Sequence, residues 1–235
     1  MIVTYLGHSG FLVELKNTYL LFDYFTGKLP ELSKEKELVV FASHAHHDHY
    51  NKKIWALWEQ YPKVRYVLSE DISYRDDMPG DAFVTEAALD SQYEITLSDD
   101  SVIQVETLIS TDEGAAFWIE AEERKIYHAG DLNLWLWPDE SDTYNQEMRR
   151  RFLGEIEKLK GRQPDAAFLP LDPRQGQYAF DGMDAYLKAF QPKTVFPMHF
   201  WKDYSIIDSY LEERRDCAYI SAVRRICKKG QQFVV

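Results

Sequence analysis

Short apolar or alternating stretches open the chain at Ile2 to Tyr5, Gly10 to Leu15 and Tyr19 to Phe22, separated by turn formers such as Asn17. Period-two patterning bounded by turn residues predicts strands, and strands this close in sequence read as an antiparallel meander. The apolar run Leu38 to Ala42 reads as a further strand, and a helix is expected near 51–60, where Ile54, Trp55, Leu57 and Trp58 suit one covered face. Short strands follow around Val64 to Leu68, Glu94 to Leu97, Ser101 to Thr107, Ala115 to Glu120 and Lys125 to His128. The character then changes. Met148, Phe152, Ile156 and Leu159 in a charged background predict an amphipathic helix over 143–160, ended by Gly161. Beyond it the pattern predicts a buried strand from Ala166 to Leu171, a helix over 181–190, a strand from Thr194 to Met198 and a helix over 204–214. Two sheets with helices outside both satisfy this order.

The 235 residues, 45% of them hydrophobic, are enough for one substantial domain over 1–235, with no linker-like break in composition. A net charge of -12, from 27 basic and 39 acidic residues, argues against long nucleic acid or an anionic membrane surface as partner and favours a small-molecule substrate. No apolar run approaches membrane length, and the amino terminus lacks the regions of a signal peptide, so a cytoplasmic location is expected. Cys217 and Cys227 are too few for a disulfide framework and sit in no ligand pattern. Oligomeric state is not readable from these residues.

Candidate chemistry concentrates in Ser43-His44-Ala45-His46-His47-Asp48-His49, directly after the Leu38–Ala42 run, which holds four of the seven histidines. Imidazole and carboxylate suit zinc, manganese or iron. In an extended chain His44, His46 and Asp48 project to one side and His47 to the other, and a turn into the next helix would swing His49 toward a second ion. Half of a metal site is the reading, with one or two zinc ions expected and Mn2+ or Fe2+ as alternatives.

With Asp23 ending an earlier strand, His128-Ala129-Gly130-Asp131 after another and Phe196-Pro197-Met198-His199 after the last, this motif resembles the metallo-β-lactamase superfamily, in that family's order. The resemblance implies an α/β (α+β) fold, the four-layered αβ/βα sandwich, with metals at one sheet edge. Tyr5 to Glu14 and Pro170 to His199 are similar to the ascorbate-6-phosphate lactonase-like branch. By resemblance, His44 and His46 share one ion with a further histidine, Asp48, His49 and His199 hold the other, and Asp131 bridges. That further histidine is missing: the corresponding strand end reads Thr107-Leu108-Ile109-Ser110-Thr111-Asp112-Glu113-Gly114. The Asp48/His49/His199/Asp131 site is therefore expected to bind more tightly, and the His44/His46 site to be weaker or to recruit Asp112, Ser110 or water.

A divalent ion makes hydroxide available near neutral pH, so the expected activity is hydrolysis of a small, anionic ester, lactone or phosphodiester through a metal-bound hydroxide. Asp48 is the candidate for orienting that water, and His8 or His128 for donating to the oxyanion or leaving group. Asp23 reads as an acceptor that fixes the histidine loop. His128 is otherwise a core histidine or a stand-in for the missing ligand. Arg174 is the cationic candidate for a substrate clamp, with an ordinary surface role as its alternative. Trp135 and Trp137 either line the pocket or pack beneath the following helix. Two competing functions share the fold: a nuclease, disfavoured by charge, and a non-catalytic metal-binding sensor, kept open by the missing histidine.

Overall fold

A computed structural model describes residues 1–235 as two mixed sheets laid face to face. The first sheet takes β1 (Ile2–Gly7), β2 (Gly10–Glu14), β3 (Thr18–Phe22), β4 (Glu37–Ala42), β5 (Val64–Ser69) and β6 (Phe83–Ala87) in sequence order. β1 to β3 form the antiparallel meander, and β3 to β6 are parallel. The second sheet holds β7 (Gln92–Thr96), β8 (Val102–Ile109), β9 (Ala115–Ala121), β10 (Arg124–His128), β11 (Ala166–Pro170) and β12 (Val195–Met198), antiparallel from β7 to β10 and parallel from β10 to β12. A short β13 (Gln232–Val234) returns to the first sheet beside β1.

Alternation along the first-sheet strands separates two cores. Tyr5, Phe11, Val13, Leu20, Phe22, Val39 and Phe41 face the second sheet, where Phe11 and Phe22 meet Phe168 at ring distances of 4.5 and 5.8 Å and Phe41 meets Phe117 at 5.4 Å. Leu12, Leu21, Leu38, Val40 and Tyr66 face the other way, and a 3-10 turn over Lys52–Trp55 running into α1 (Ala56–Gln60) covers them with Ile54, Trp55 and Leu57. A one-residue slip in register would exchange these two sets, which is why the pattern holds it. On the far side of the second sheet, α2 (Asp142–Glu157) brings Phe152 against Tyr186 of α3 (Asp181–Phe190), and the Tyr186 and Tyr127 hydroxyls are 3.1 Å apart. α4 (Ser205–Glu213) is tied to α3 by the Tyr210 hydroxyl, which donates to Asp184 at 2.8 Å. The layers are thus helix, sheet, sheet, helix, as expected.

β6 and β13 were not foreseen by the alternation. β6 is a half-exposed edge strand whose Phe83 is 61% exposed, and β13 is three residues long. The site is positioned by a different feature: the carboxyl ends of β3, β4, β10, β11 and β12 lie together, so the residues just past them, Asp23, Ser43, Asp131, Asp172 and His199, meet at one edge of the sandwich.

The opposite end of β10 supplies a test of stability. Buried Asp165 accepts from the Lys125 backbone N–H at 2.9 Å and from Lys193 at 2.8 Å. Burial opposes its ionisation, but these donors prevail and hold its carboxyl below the ordinary value. The stabilisation is therefore present above the unfolded carboxylate value of about 3.9 and lost as pH falls through the lower folded value. Asp165→Asn is expected to cost about 1–3 kcal/mol at pH 7. Urea unfolding should show that difference shrinking on acidification; a gap that persists at pH 2 contradicts the assignment.

Candidate metal centre

The segment after β4 does not stay extended. His49 and Tyr50 both return their N–H groups to the His46 carbonyl, at 3.0 and 2.8 Å, so the chain turns at His46. The alternating-face expectation holds for His44 and His46 only, and the turn sends Asp48 and His49 to a neighbouring group. Two sets of inward ligand atoms result, one of His44, His46 and Asp131 and one of His8, Asp48, His49 and His199, with the atoms of each within 4.8 Å of one another. Asp131 joins them: its Oδ1 lies 3.2 Å from His49 Nε2 and 3.4 Å from His199 Nε2, while Oδ2 lies 3.6 Å from His44 Nε2.

Behind four of these imidazoles stands an oxygen. Asp23 accepts from His49 Nδ1 at 2.7 Å and from the Ser43 N–H and hydroxyl, both at 2.8 Å. The Ser43 hydroxyl is 3.0 Å from His44 Nδ1. Asp172 accepts from His199 Nδ1 at 2.9 Å, and Glu113 lies 3.3 Å from His46 Nε2, leaving His46 Nδ1 directed at His44 Nε2, 3.0 Å away. Each outer oxygen fixes which ring nitrogen faces inward, the arrangement that ligating histidines need. Two of the inward atoms lack such partners: His49 Nε2 and Asp131 Oδ1 are fully buried with no hydrogen bond. Leaving such groups unmet costs about 1–3 kcal/mol each, and a cation between them satisfies both. The residues present fit a metal ion.

Electrostatics agrees with this. Burial penalises the Asp131 charge, yet His199 and His49 hold its carboxyl well below the usual range. His199 is buried, which alone would lower it, but Asp131 and Asp172 lift it to about 10. Burial, with His49 alongside, takes His44 down to about 4. An ionised Asp131 thus sits beside a charged His199 and a neutral His44, and a bound cation would take over the charge that His199 carries.

Several expected roles change. His128 does not reach the centre: its Nε2 donates to the Ser9 carbonyl at 2.9 Å, its Nδ1 accepts from the Gly130 N–H at 3.1 Å, and its ring stacks on Phe22 at 4.9 Å. With both nitrogens engaged and burial lowering its pKa, it is a neutral core histidine, neither an acid nor a replacement ligand. Ser110 accepts from the Asp112 N–H at 3.1 Å and shapes the turn. Asp112 belongs to neither ligand set but borders the cleft beside the centre, where burial and then Asp131 raise its carboxyl. His47 is 90% exposed. Arg174 is already paired with Asp172, its Nε 2.9 Å from Oδ2, and lies over the Trp201 ring at 5.6 Å. Ser43, Glu113 and Asp172 were not singled out beforehand. Asp172 had a readable signal, a carboxylate ending a buried apolar strand as Asp23 does.

Trp135 and Trp137 both pack and line: their rings are parallel within 4° and 6.0 Å apart, and Trp135 Nε1 donates to the Asp131 carbonyl at 2.8 Å. With Tyr144, Met148, Arg174 and Thr111 they wall a cleft of about 200 Å³ that ends on Asp131 and His199. A larger open groove of about 730 Å³ lies on the solvent side of the second sheet, around Gln104, Glu106, Trp118 and Arg162. No ligand set converges there, so the smaller cleft is the one adjoining the chemistry.

A two-sheet sandwich with paired ligand sets at one edge defines a metallo-β-lactamase-type protein. The match of a family described as "Beta-lactamase superfamily domain" to residues 2–145 makes this chain a member of that family. A "UPF0173 metal-dependent hydrolase" of Opitutus terrae is 29% identical over 212 residues, 85% of each chain. Igni18, a metallo hydrolase from Ignicoccus hospitalis, has a TM-score of 0.68 at 18% identity, covering 100% of this chain and 98% of that one. CmlA, a diiron beta-hydroxylase from Streptomyces venezuelae, has a TM-score of 0.63 at 13% identity over 100% of this chain and 54% of its own. These two structures establish the shared fold alone.

Proposed function

We propose that this protein is a metal-dependent hydrolase of a small, anionic ester, lactone or phosphodiester. The observation that carries the reading is the pair of inward ligand sets, their imidazoles held from behind by Asp23, Ser43, Glu113 and Asp172, at the floor of the aromatic cleft. His44, His46 and Asp131 would hold one ion, and Asp48, His49 and His199 a second. Bound there, divalent ions supply Lewis acidity and a water that ionises near neutral pH.

The chain's own residues supply position. Trp135, Trp137 and Met148 give the cleft an apolar wall that orients the non-reacting part of a substrate and keeps water from it. Arg174 borders the same cleft, and its guanidinium retains Nη1 for a carboxylate or phosphate while Asp172 holds the rest. Asp48, buried beside the centre and held below the ordinary carboxylate range by His8 and His49 against the cost of burial, is the group available to orient an attacking water. The likeness of Tyr5 to Glu14 to the ascorbate-6-phosphate lactonase-like branch supports lactones as the first esters to try, and the relatives described as hydrolases support the reaction class.

The test is turnover by protein stripped with a chelator and reloaded separately with Zn2+, Mn2+ and Fe2+, on a panel of lactones, phosphodiesters and carboxylic esters. Activity should vanish on stripping and return with at least one ion. No turnover with any ion on any substrate would leave the sensor reading in its place.

A further inference from the structure

We propose that His8 is a metal ligand, the fourth protein ligand of the site formed by Asp48, His49 and His199, so that this site is closed and the His44/His46/Asp131 side carries the open position. The inference rests on the metal-centre reading above and assigns within it a residue whose expected role was that of a proton donor. A donor to substrate must face the cleft, and His8 does not line it. His199 and Trp201 stand against its ring at 4.2 and 4.3 Å, and the residue is 2% exposed.

His8 points instead at Asp48, with Nε2 3.2 Å from Oδ2, yet neither ring nitrogen makes a hydrogen bond. That separation matches two ligands of one tetrahedral ion: bonds of about 2.0–2.1 Å place ligand atoms about 3.3 Å apart. The backbone holds His8 in this place. His8 adopts a left-handed φ of 56°, its N–H donates to the Tyr5 hydroxyl at 2.8 Å, and its carbonyl accepts from the His199 N–H at 3.4 Å. Four protein ligands fill a tetrahedral site, whereas three leave room for a reacting group. The histidine missing after β8 is thus offset by one contributed from the β1–β2 turn, on the other ion.

The experiment titrates cobalt(II) into wild-type protein and into His8→Asn, a substitution that tolerates the left-handed φ, in competition with a chelator and with absorption spectra recorded. Wild type should take two ions, the tighter with the strong visible bands of a tetrahedral site. In the variant the tighter ion should weaken by more than about 100-fold, beyond the effect of losing an outer hydrogen-bond partner, and its bands should collapse. A midpoint of apo unfolding close to wild type shows that the fold is kept. A second readout needs no variant: cobalt-loaded wild type should show a shifted ring N–H resonance from His8 beside those of His44, His46, His49 and His199. Unchanged affinity and bands in the variant, or no shifted His8 resonance, overturn this assignment alone. No cobalt bound by wild type overturns it together with the hydrolase reading.

Discussion

Asp131→Ala is expected to lower kcat/KM by at least about 10³-fold, about 4 kcal/mol of transition-state stabilisation, and to leave at most one ion bound. Asp131 belongs to the His44/His46 set and faces the other: within 3.6 Å its two oxygens meet His44, His49 and His199. Removing it leaves three imidazoles facing one another in a buried space, and any cation placed there loses the charge that offsets its desolvation. Elemental analysis paired with kinetics on the best substrate of the panel checks both parts. A variant that keeps two ions and a kcat/KM within tenfold of wild type would remove Asp131 from the centre.

The second large effect is expected at Gly114, which lies in the turn between β8 and β9. Its φ is +66°, and a Cβ there would sit 2.1 Å from the Ser43 carbonyl oxygen and 2.5 Å from His44 Cβ. The Ser43 carbonyl cannot retreat freely, because it accepts the Ala115 N–H at 2.9 Å. Gly114→Ala therefore combines a left-handed residue, about 1–2 kcal/mol, with overpacking of about 1–3 kcal/mol. A loss of about 2–5 kcal/mol in urea unfolding is expected, with weakened ion binding because relief of the clash moves His44. Wild-type stability in this variant would mean that the two loops are not in contact.

Much of this was open to reading in the chain. The meander, the apolar Leu38–Ala42 strand and the later helices follow from period and run length, which report burial directly. His44, His46, Asp48 and His49 were identifiable because they lie on one short loop. His128 was less so: it shares a strand face with Ile126, and only the packing of the second sheet on the first shows that this face meets Phe22. Asp172 and Glu113 act through partners 27 and 67 residues distant in sequence, His199 and His46, respectively. No local pattern encodes such meetings. Nor could the turn at His46 be read from ligand spacing, since it depends on backbone bonds from His49 and Tyr50.

The outer acceptors also divide between the two halves of the sandwich. Asp23 and Ser43 stand at the ends of β3 and β4 in the first sheet, and Asp172 at the end of β11 in the second. The centre is therefore sewn across the seam, with no private pocket in either half. Any shear of one sheet over the other changes the bite of the ligands, so the large aromatic interior works as the jig that keeps the metal geometry true.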